Sequence, residues 1–336
     1  MARYYRLDLS RNHRISTEIT GYAASTFVYL HSVTQRQEYL QGAIRAARFL
    51  THLAWCPEFQ AIPFEMEAES GNLAAYFFDC GIIIRGLLAV WRVTGITEFL
   101  DCARSVGKSM AVDFAYADGA YHPIVLLPGK CPAEHDAARW SRSPGCYQLK
   151  AAMAWWELAE ATGDAALREP YDQVLATSLS SYAAFLPGHT DRMKVMDRLH
   201  PFLYFLEGLL PRVSELRCSV PLARGVRRVA AYLREIAPEF ERSDVYAQLL
   251  RIRLYADRAG VVPLDEEAAR FEAAKLREFQ AAGEDPHLDG GFYFGRKGGE
   301  WLPYVNPVSA AFALQALTLW DEHRRGGPQA HRVLLI

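Results

Sequence analysis

Residues 91–103 read WRVTGITEFLDCA, and this stretch shows the unit from which the chain is built. An apolar helix ends at Gly95, because glycine adopts the left-handed conformation of a helix C-cap at low cost, and a second apolar helix starts a few residues later. Residues 29–43, YLHSVTQRQEYLQGA, and residues 156–163, WELAEATG, repeat the pattern. A helical hairpin cannot bury its apolar face alone, so repeated hairpins are expected to stack on one another.

Apolar positions recurring about every 3.6 residues predict eleven helices. They span residues 17–33, 36–54, 74–94, 97–114, 145–162, 165–186, 193–211, 219–237, 243–259, 265–282 and 307–324. Either a short terminal segment supplies a twelfth helix, or the twelfth helix is missing. Since six hairpins can close into a ring, the predicted fold is all-α, an (α/α)6 toroid forming one domain over residues 1–336.

Glycine and aromatic residues cluster near residues 120–127 and 291–303, which predicts short β-hairpins within the long connections. Pro307 fits a helix start, where its missing N–H costs little. Ser243 and Asp244 are typical of an N-cap before the ninth helix.

The chain has 336 residues, of which 51% are hydrophobic and 23% charged, and its formal net charge is −2. No global field would therefore recruit nucleic acid or an anionic membrane. No window approaches the roughly 18 uncharged apolar residues of a membrane helix, and residues 1–14 do not resemble a signal peptide. We therefore expect a cytoplasmic protein with neither a nucleic-acid nor a membrane partner, and keep a homodimer as a candidate assembly.

The six cysteines are scattered without a CxxC pair, as expected for free thiols in a reducing compartment. Cys131, His135, Asp136 and Cys146 lie within sixteen residues, but their spacing matches no standard zinc pattern. Phosphate-binding and dinucleotide-binding motifs are missing from the sequence. We therefore expect neither a metal nor a cofactor.

Three long connections, over residues 56–73, 116–143 and 283–306, each precede an odd-numbered helix. The odd helices are the more apolar set, so we predict that they form the inner ring. Their first turns would then line the mouth of a central cavity. Long loops are often functional, which directs attention to the polar residues at these helix starts.

The candidates share a place in or beside those first turns and a side chain suited to acid–base work, anion binding or stacking on sugar rings. The predicted catalytic residues are Asp79, His200 and Glu18; the predicted substrate-binding residues are Tyr22, Tyr147, Lys150, Arg198, Asp244, Arg251, Trp140, Phe292 and Asn306. Asp79 lies deep in an apolar run, where a carboxylate needs a partner or a function. Helix capping is the alternative explanation of Glu18 and Asp244.

Two stretches carry a family resemblance. Residues 197–210, DRLHPFLYFLEGLL, and residues 289–299, DGGFYFGRKGG, resemble segments of the six-hairpin, (α/α)6-barrel families that act on carbohydrates, nearest to N-acylglucosamine 2-epimerase-like proteins. The resemblance implies that His200 is a catalytic histidine and that the second stretch is the hairpin before the last inner helix. The family's second histidine is replaced within residues 306–311, NPVSAA, which removes the partner for two-base proton transfer.

The sequence thus favours a carbohydrate-modifying enzyme, like a sugar epimerase or isomerase, acting on a small saccharide or a polysaccharide end. His200 with Asp79 or Glu18 would transfer protons, while Arg198 or Arg251 would orient the substrate. One alternative is a glycoside hydrolase, or a uronyl hydrolase or lyase, that uses Glu18 and Asp79 as inner-ring carboxylates. Another is a non-catalytic toroid that binds glycans or scaffolds partners.

Overall fold

The computed structural model describes residues 1–66, 73–116, 120–186, 188, 191–237, 239–326 and 334–336. Its α-helices are α1 (Thr17–Thr34), α2 (Gln37–Arg48), α3 (Phe77–Thr94), α4 (Thr97–Asp113), α5 (Gln148–Thr162), α6 (Arg168–Ser181), α7 (Arg192–Gly208), α8 (Leu216–Ile236), α9 (Ser243–Arg258), α10 (Glu266–Glu278) and α11 (Pro307–Arg324). Its strands are β1 (Tyr5–Arg6), β2 (Arg11–Asn12), β3 (Ala74–Tyr76), β4 (Ile124–Leu126), β5 (Cys131–Pro132), β6 (Phe240–Arg242), β7 (Gly295–Lys297), β8 (Glu300–Trp301) and β9 (Tyr304–Val305).

All eleven predicted helices are present, and several end where the sequence indicated. Gly95 and Gly163 close α3 and α5 with φ of 70° and 76°. Pro307 opens α11 behind an Asn306 N-cap. The helix predicted over residues 36–54 is α2 followed by a wider π-helical turn over Phe49–Ala54. Most of the segment expected to supply a twelfth helix lies outside the described residues.

The described residues form two compact units. The first lies within Met1–Ala2, Arg14–Ser181 and Val333–Ile336, and the second within Arg3–His13 and Tyr182–Arg332. The prediction of one domain over residues 1–336 stays a prediction.

In the first unit, α1, α3 and α5 pack side by side, and each contacts the even-numbered helix that follows it. Small residues allow the close approach of the odd helices. A Cβ added at Gly81 would lie 2.5 Å from the Cα of Ala151, and one added at Gly86 would lie 2.5 Å from the carbonyl oxygen of Gly21. Glycine is therefore required at these crossings by the proximity of the neighbouring backbone.

The last described segment, residues 334–336, also belongs to the first unit. Leu335 and Ile336 are 3% and 1% exposed. Arg85, in the middle of α3, donates a hydrogen bond to the carbonyl oxygen of Leu335 at 2.7 Å and pairs with Glu157 of α5 at 2.9 Å. This short segment is thus part of the core of the unit.

In the second unit, α9 packs against α7, α8, α10 and α11, and its side chains are buried almost all round. Two three-stranded sheets, in the orders β2-β1-β9 and β6-β7-β8, accompany these helices. The sequence anticipated strands over residues 291–303 but missed β1, β2, β6 and β9, and it was wrong over residues 74–76, which it placed in the third helix and which form β3. In the first unit, the hairpin predicted over residues 120–127 is β4 with β5, and β3 pairs beside it.

Strands lead directly into three odd helices. β3 ends at Tyr76 before α3, β6 ends at Arg242 before α9, and β9 ends one residue before the Asn306 cap of α11. Hydrogen bonding in the sheets therefore fixes where these helices begin, and with them the side chains of their first turns. Over the described residues, no helix is both long enough and apolar enough to cross a membrane.

Candidate active site

The junction of β6 and α9 holds an ion pair. Arg242 donates from Nε to Oδ1 of Asp244 at 3.0 Å and from Nη2 to Oδ2 at 2.6 Å. Both side chains are buried, at 8% and 3% exposure. Burial alone would raise the pKa of Asp244, but the charge of Arg242, aided by His200, holds that pKa below its usual range. The Asp244 carboxylate therefore stays ionised.

Ser243 and Asp244 are not the N-cap that the sequence predicted. Arg242 occupies that position without a side-chain cap, because β6 pairs with β7 up to this residue and the chain passes straight from strand to helix. The Ser243 hydroxyl instead donates to the carbonyl oxygen of Tyr293 at 2.7 Å. The Asp244 carboxylate is consequently free to point at Arg242 and at α7.

His200, in the middle of α7, faces Asp244 and Gln248 of α9. Its Nδ1 lies 2.6 Å from Oε1 of Gln248 and 3.3 Å from Oδ2 of Asp244. Asp244 and Gln248 are four residues apart, so they share one face of α9. An ionised carboxylate can only accept a hydrogen bond, which assigns the proton to Nδ1 and leaves a lone pair on Nε2.

Burial lowers the pKa of His200 to about 4; the Asp244 carboxylate opposes the shift, while the Arg242 guanidinium adds to it. The imidazole is therefore neutral near pH 7. Within the described residues its Nε2 contacts no hydrogen-bond partner, and its side chain keeps 11% exposure. A neutral, oriented imidazole with one unprotonated nitrogen is suited to act as a general base.

Aromatic side chains surround this group. The ring of Tyr204 meets the His200 imidazole edge-on at 4.4 Å, and Phe312 lies 6.3 Å from it. Phe294 stacks beneath the Arg242 guanidinium at 4.5 Å. Burial raises the pKa of Tyr304, near Arg242, to about 12. The walls combine apolar surface with tyrosine hydroxyls, which is the composition of many small-molecule sites.

Asp79, Tyr147 and Trp140 are neighbours in the first unit. Asp79 occupies the first turn of α3 and is 5% exposed. Burial raises the pKa of Tyr147, and the charges of Cys146 and Asp79 add to the shift. The Tyr147 hydroxyl donates to the carbonyl oxygen of Ser143 at 3.0 Å, and its ring meets Trp140 at 5.1 Å. A buried carboxylate beside a neutral phenol is thus a second candidate acid–base group.

Lys150 is fully buried in the first turn of the long helix α5. Its Nζ donates to the Ile336 carbonyl oxygen at 2.9 Å and lies 5.5 Å from the centre of the Tyr22 ring. Tyr22 is itself only 2% exposed. The two predicted binding residues therefore meet, but the Lys150 ammonium group contacts a segment of the same chain.

The remaining predicted residues have structural contacts. Arg251 is fully buried, pairs with Glu207 and donates to Gln315 at 3.0 Å, which explains it as a core ion pair. The Asn306 side chain caps α11 by accepting from the backbone N–H of Ser309 at 2.6 Å.

Three other predicted residues are not brought to the His200 site. Arg198 is half-buried and donates to the carbonyl oxygen of Phe185 at 2.8 Å. Phe292 is 1% exposed, while Glu18 is half-buried in the first turn of α1. Of the predicted set, the structure brings together His200 with Asp244, Tyr147 with Asp79 and Trp140, and Lys150 with Tyr22.

Arg242 and Gln248 belong to the site but were not predicted. Gln248 had a detectable signal, since it follows Asp244 by one helical turn. Arg242 had none, because β6 is only three residues long and shows no usable alternation. No group of three or more His, Cys, Asp or Glu side chains in the described part of the chain is arranged to hold a metal ion.

No protein-family model matches the chain, and a comparison with curated proteins gives no match. Solved structures do resemble it. The sugar epimerase of a ruminal bacterium has a TM-score of 0.71 at 11% identity, covering 94% of this chain and 92% of that one. Cellobiose 2-epimerase from Bacillus thermoamylovorans has a TM-score of 0.70 at 12% identity, with the same coverage. D-mannose isomerase has a TM-score of 0.68 at 10% identity, covering 95% and 90%.

These structures are (α/α)6 toroids, so the predicted fold is confirmed. At such identities the likeness establishes the fold alone, and the activity has to be argued from the site.

Proposed function

We propose that this protein is a sugar isomerase that interconverts an aldose and a ketose, with His200 as the base. The observation that carries the proposal is the hydrogen-bonded His200. Its Nδ1–H is held by Gln248 and Asp244, and its Nε2 keeps a lone pair at neutral pH. The fold, similar to that of a sugar epimerase and a D-mannose isomerase, supports a saccharide as the substrate.

The chemistry needs one base on one face of an open-chain sugar. Nε2 of His200 takes the proton from C2, and the C2–H electron pair forms the C1–C2 double bond of an enediol as the carbonyl oxygen on C1 gains a proton from water. Delivery of the proton from Nε2 to C1, with loss of the hydroxyl proton on O2 to water, leaves the ketose and restores the neutral imidazole. Asp244 stabilises the transient imidazolium, as a buried carboxylate does for a catalytic histidine.

A single base favours isomerisation over 2-epimerisation. Epimerisation removes a proton from one face of C2 and delivers one to the other, which calls for two groups. The position of the family's second histidine lies within residues 306–311, where Asn306 is committed to capping α11. Transfer of the carbon-bound proton between C2 and C1 on one face requires only one base, His200, because the protons on O1 and O2 can exchange with water.

A glycoside or uronyl hydrolase is the second candidate, favoured by the burial of Asp79 in the first turn of α3. A carboxyl group in such surroundings can serve as a general acid. In this alternative, Asp79 carries the chemistry and His200 has a structural role.

The experiment is to incubate the full-length protein in D2O with mannose, glucose and cellobiose, and to follow the products by NMR. Isomerisation gives the ketose, with deuterium at C1 in the turnovers in which the proton held on Nε2 exchanges with D2O, whereas hydrolysis splits cellobiose without introducing deuterium at carbon. His200→Gln should reduce isomerisation by about 10² to 10⁴-fold, the usual contribution of a general base. His287→Gln, an exposed histidine of the same unit, is the matched control.

Loss of activity in Asp79→Asn with full activity in His200→Gln would transfer the assignment to the hydrolase alternative.

The six cysteines are all free, which supports a reducing compartment, and we propose the cytoplasm.

A further inference from the structure

A cavity in the second unit has a volume of about 380 Å³. It is lined by residues of α8, α10, the paired strands β6 and β7 and the start of α9, together with residues that follow α8 and β7, namely Arg234, Ala237, Glu241, Tyr246, Phe271, Lys275, Arg296 and Gly299. Side chains alternate between the two faces of a strand. Glu241 lines this cavity while its neighbour Arg242 pairs with Asp244, so the cavity and the candidate active site lie on opposite faces of β6.

One wall is fixed by a buried carboxylate. Glu241 is 5% exposed and lies directly opposite Arg296 in the β6–β7 register. Its Oε2 accepts from Nε of Arg296 at 2.9 Å, and its Oε1 accepts from the Tyr246 hydroxyl at 3.0 Å. These bonds occupy the carboxylate and hold the Arg296 guanidinium, about three-quarters buried, at the cavity edge.

Positive charge exceeds negative charge around the cavity. Arg234, Lys275 and Arg296 line it, against Glu241 alone. Glu278 approaches Lys275 at 3.1 Å, but its side chain is 46% exposed, so solvent screens that pair. Within the described residues, Arg234 forms no ion pair or hydrogen bond, and its guanidinium can bind a ligand without breaking one.

The opposite wall is apolar. Phe271 is 42% exposed despite its size, whereas the Tyr246 side chain that also lines the cavity is fully buried. Gly299, at a φ of 88°, contributes no side chain, which keeps the entrance wide. A volume of this size falls within the range of roughly 300–1,000 Å³ typical of small-molecule pockets.

We propose that this cavity binds a small organic anion the size of a phosphorylated or carboxylated monosaccharide. The anionic group would contact Arg234 and Lys275, and an apolar face of the molecule would lie on Phe271. Phosphate and carboxylate share the chemistry that guanidinium and ammonium groups recognise. The site is separate from His200 and does not depend on the proposed isomerase reaction.

Calorimetric titration of the full-length protein with glucose 6-phosphate, glucuronate and glucose tests the proposal without measuring turnover. At least one of the two anions should bind, and the tighter one identifies the preferred group; neutral glucose should bind at least tenfold more weakly. Arg234→Ala and Lys275→Ala should each weaken binding of that anion by about tenfold. Arg227→Ala, an exposed arginine of α8 outside the cavity, is the matched control and should bind as the wild type does.

The proposal fails if neither anion binds at 10 mM. It also fails if glucose binds as tightly as the anions, or if Arg227→Ala weakens binding as much as Arg234→Ala. Arg234 and Arg227 form no ion pair with the described residues, so their alanine variants should fold; circular dichroism of each variant, including Lys275→Ala, verifies this.

Discussion

Arg242 and Asp244 are two residues apart, yet their side chains form a two-bond ion pair across the point where β6 becomes α9. Asp244 also approaches Nδ1 of His200, so one carboxylate joins the guanidinium to the imidazole. The arginine keeps the carboxylate ionised, and the carboxylate selects the tautomer of the histidine. The chemistry proposed for Nε2 of His200 thus depends on Arg242, which acts on it through Asp244.

The first prediction concerns Asp244→Asn. The amide keeps the shape of the carboxylate, but it removes the charge that selects the Nδ1–H tautomer and supports an imidazolium. We expect aldose–ketose isomerisation to fall by about 10² to 10⁴-fold, as it does when the orienting carboxylate of a catalytic histidine is neutralised. Steady-state kinetics measure the loss, and ¹⁵N NMR of His200 reports the tautomer. Asp197→Asn is the control. Its carboxylate also lies near Arg242, at 3.4 Å, but it is 62% exposed, so its loss should change the rate little.

The second prediction is a pH dependence. Because burial lowers the pKa of His200 to about 4, the acidic limb of kcat/KM should lie near pH 4, well below the ordinary histidine value of about 6.5. A limb at pH 6 or above would show that His200 is not the base, or that it is solvated in the free protein.

The same pKa links His200 to stability. The unfolded chain binds a proton below about pH 6.5 and the native imidazole only near 4, so the native state loses stability as pH falls between these values. Urea unfolding at pH 7.5 and pH 4.5 should show a larger loss for the wild type than for His200→Gln. Equal losses in both proteins would contradict the buried, neutral histidine.

The sequence was most informative where a local rule acts without tertiary help. Gly95 and Gly163 end helices because of their own backbone freedom, and Pro307 begins one because it lacks an N–H. The N-cap predicted at Ser243 was wrong. The pairing of β6 with β7 places Arg242 at the N-cap position of α9, and this pairing joins residues more than fifty positions apart in the sequence.

The candidate site was only partly predictable for the same reason. His200 and Asp244 could be nominated from helix starts and a family resemblance, but their partner Arg242 lies in a strand of three residues. Residues 334–336 carry no periodicity at all, yet they fill part of the core of the first unit. Lys150 was nominated for substrate, whereas its ammonium group contacts Ile336. Such contacts follow from three-dimensional packing, which spacing along the chain does not encode.

The third prediction tests the packing of α3 against α5. Gly81→Ala would place a methyl group 2.5 Å from both the Cα and the carbonyl oxygen of Ala151, and a backbone cannot yield as a flexible side chain does. The free energy of unfolding should fall by about 1–3 kcal/mol, the usual cost of overpacking. Gly283→Ala, where the added atom meets nothing within 4 Å, should be neutral in the same denaturant titration. Equal stability of the two variants would contradict the close crossing.

The fourth prediction tests the role of residues 334–336. Leu335 is 3% exposed, so Leu335→Ala should lower the free energy of unfolding by about 2–4 kcal/mol through lost burial and a residual cavity. Leu216→Ala is the control, because Leu216 is 80% exposed and should contribute little. If Leu335→Ala unfolds at the wild-type denaturant concentration, the segment is not bound in the first unit.

The fifth prediction separates a structural from a substrate-binding role for Arg251. Its guanidinium pairs with Glu207, and both side chains are fully buried. Arg251→Met leaves a buried carboxylate without that partner and should cost about 3–5 kcal/mol of stability. The double variant Arg251→Met with Glu207→Leu removes both charges and should recover most of the loss, because an apolar pair avoids the desolvation penalty of the ions.

Urea unfolding of the two single variants and the double variant forms a cycle that measures the coupling. A purely structural pair gives a coupling of several kcal/mol, with the KM for the sugar changed less than about threefold in the double variant. A stable Arg251→Met protein with a KM raised more than tenfold would instead restore Arg251 to the substrate-binding residues.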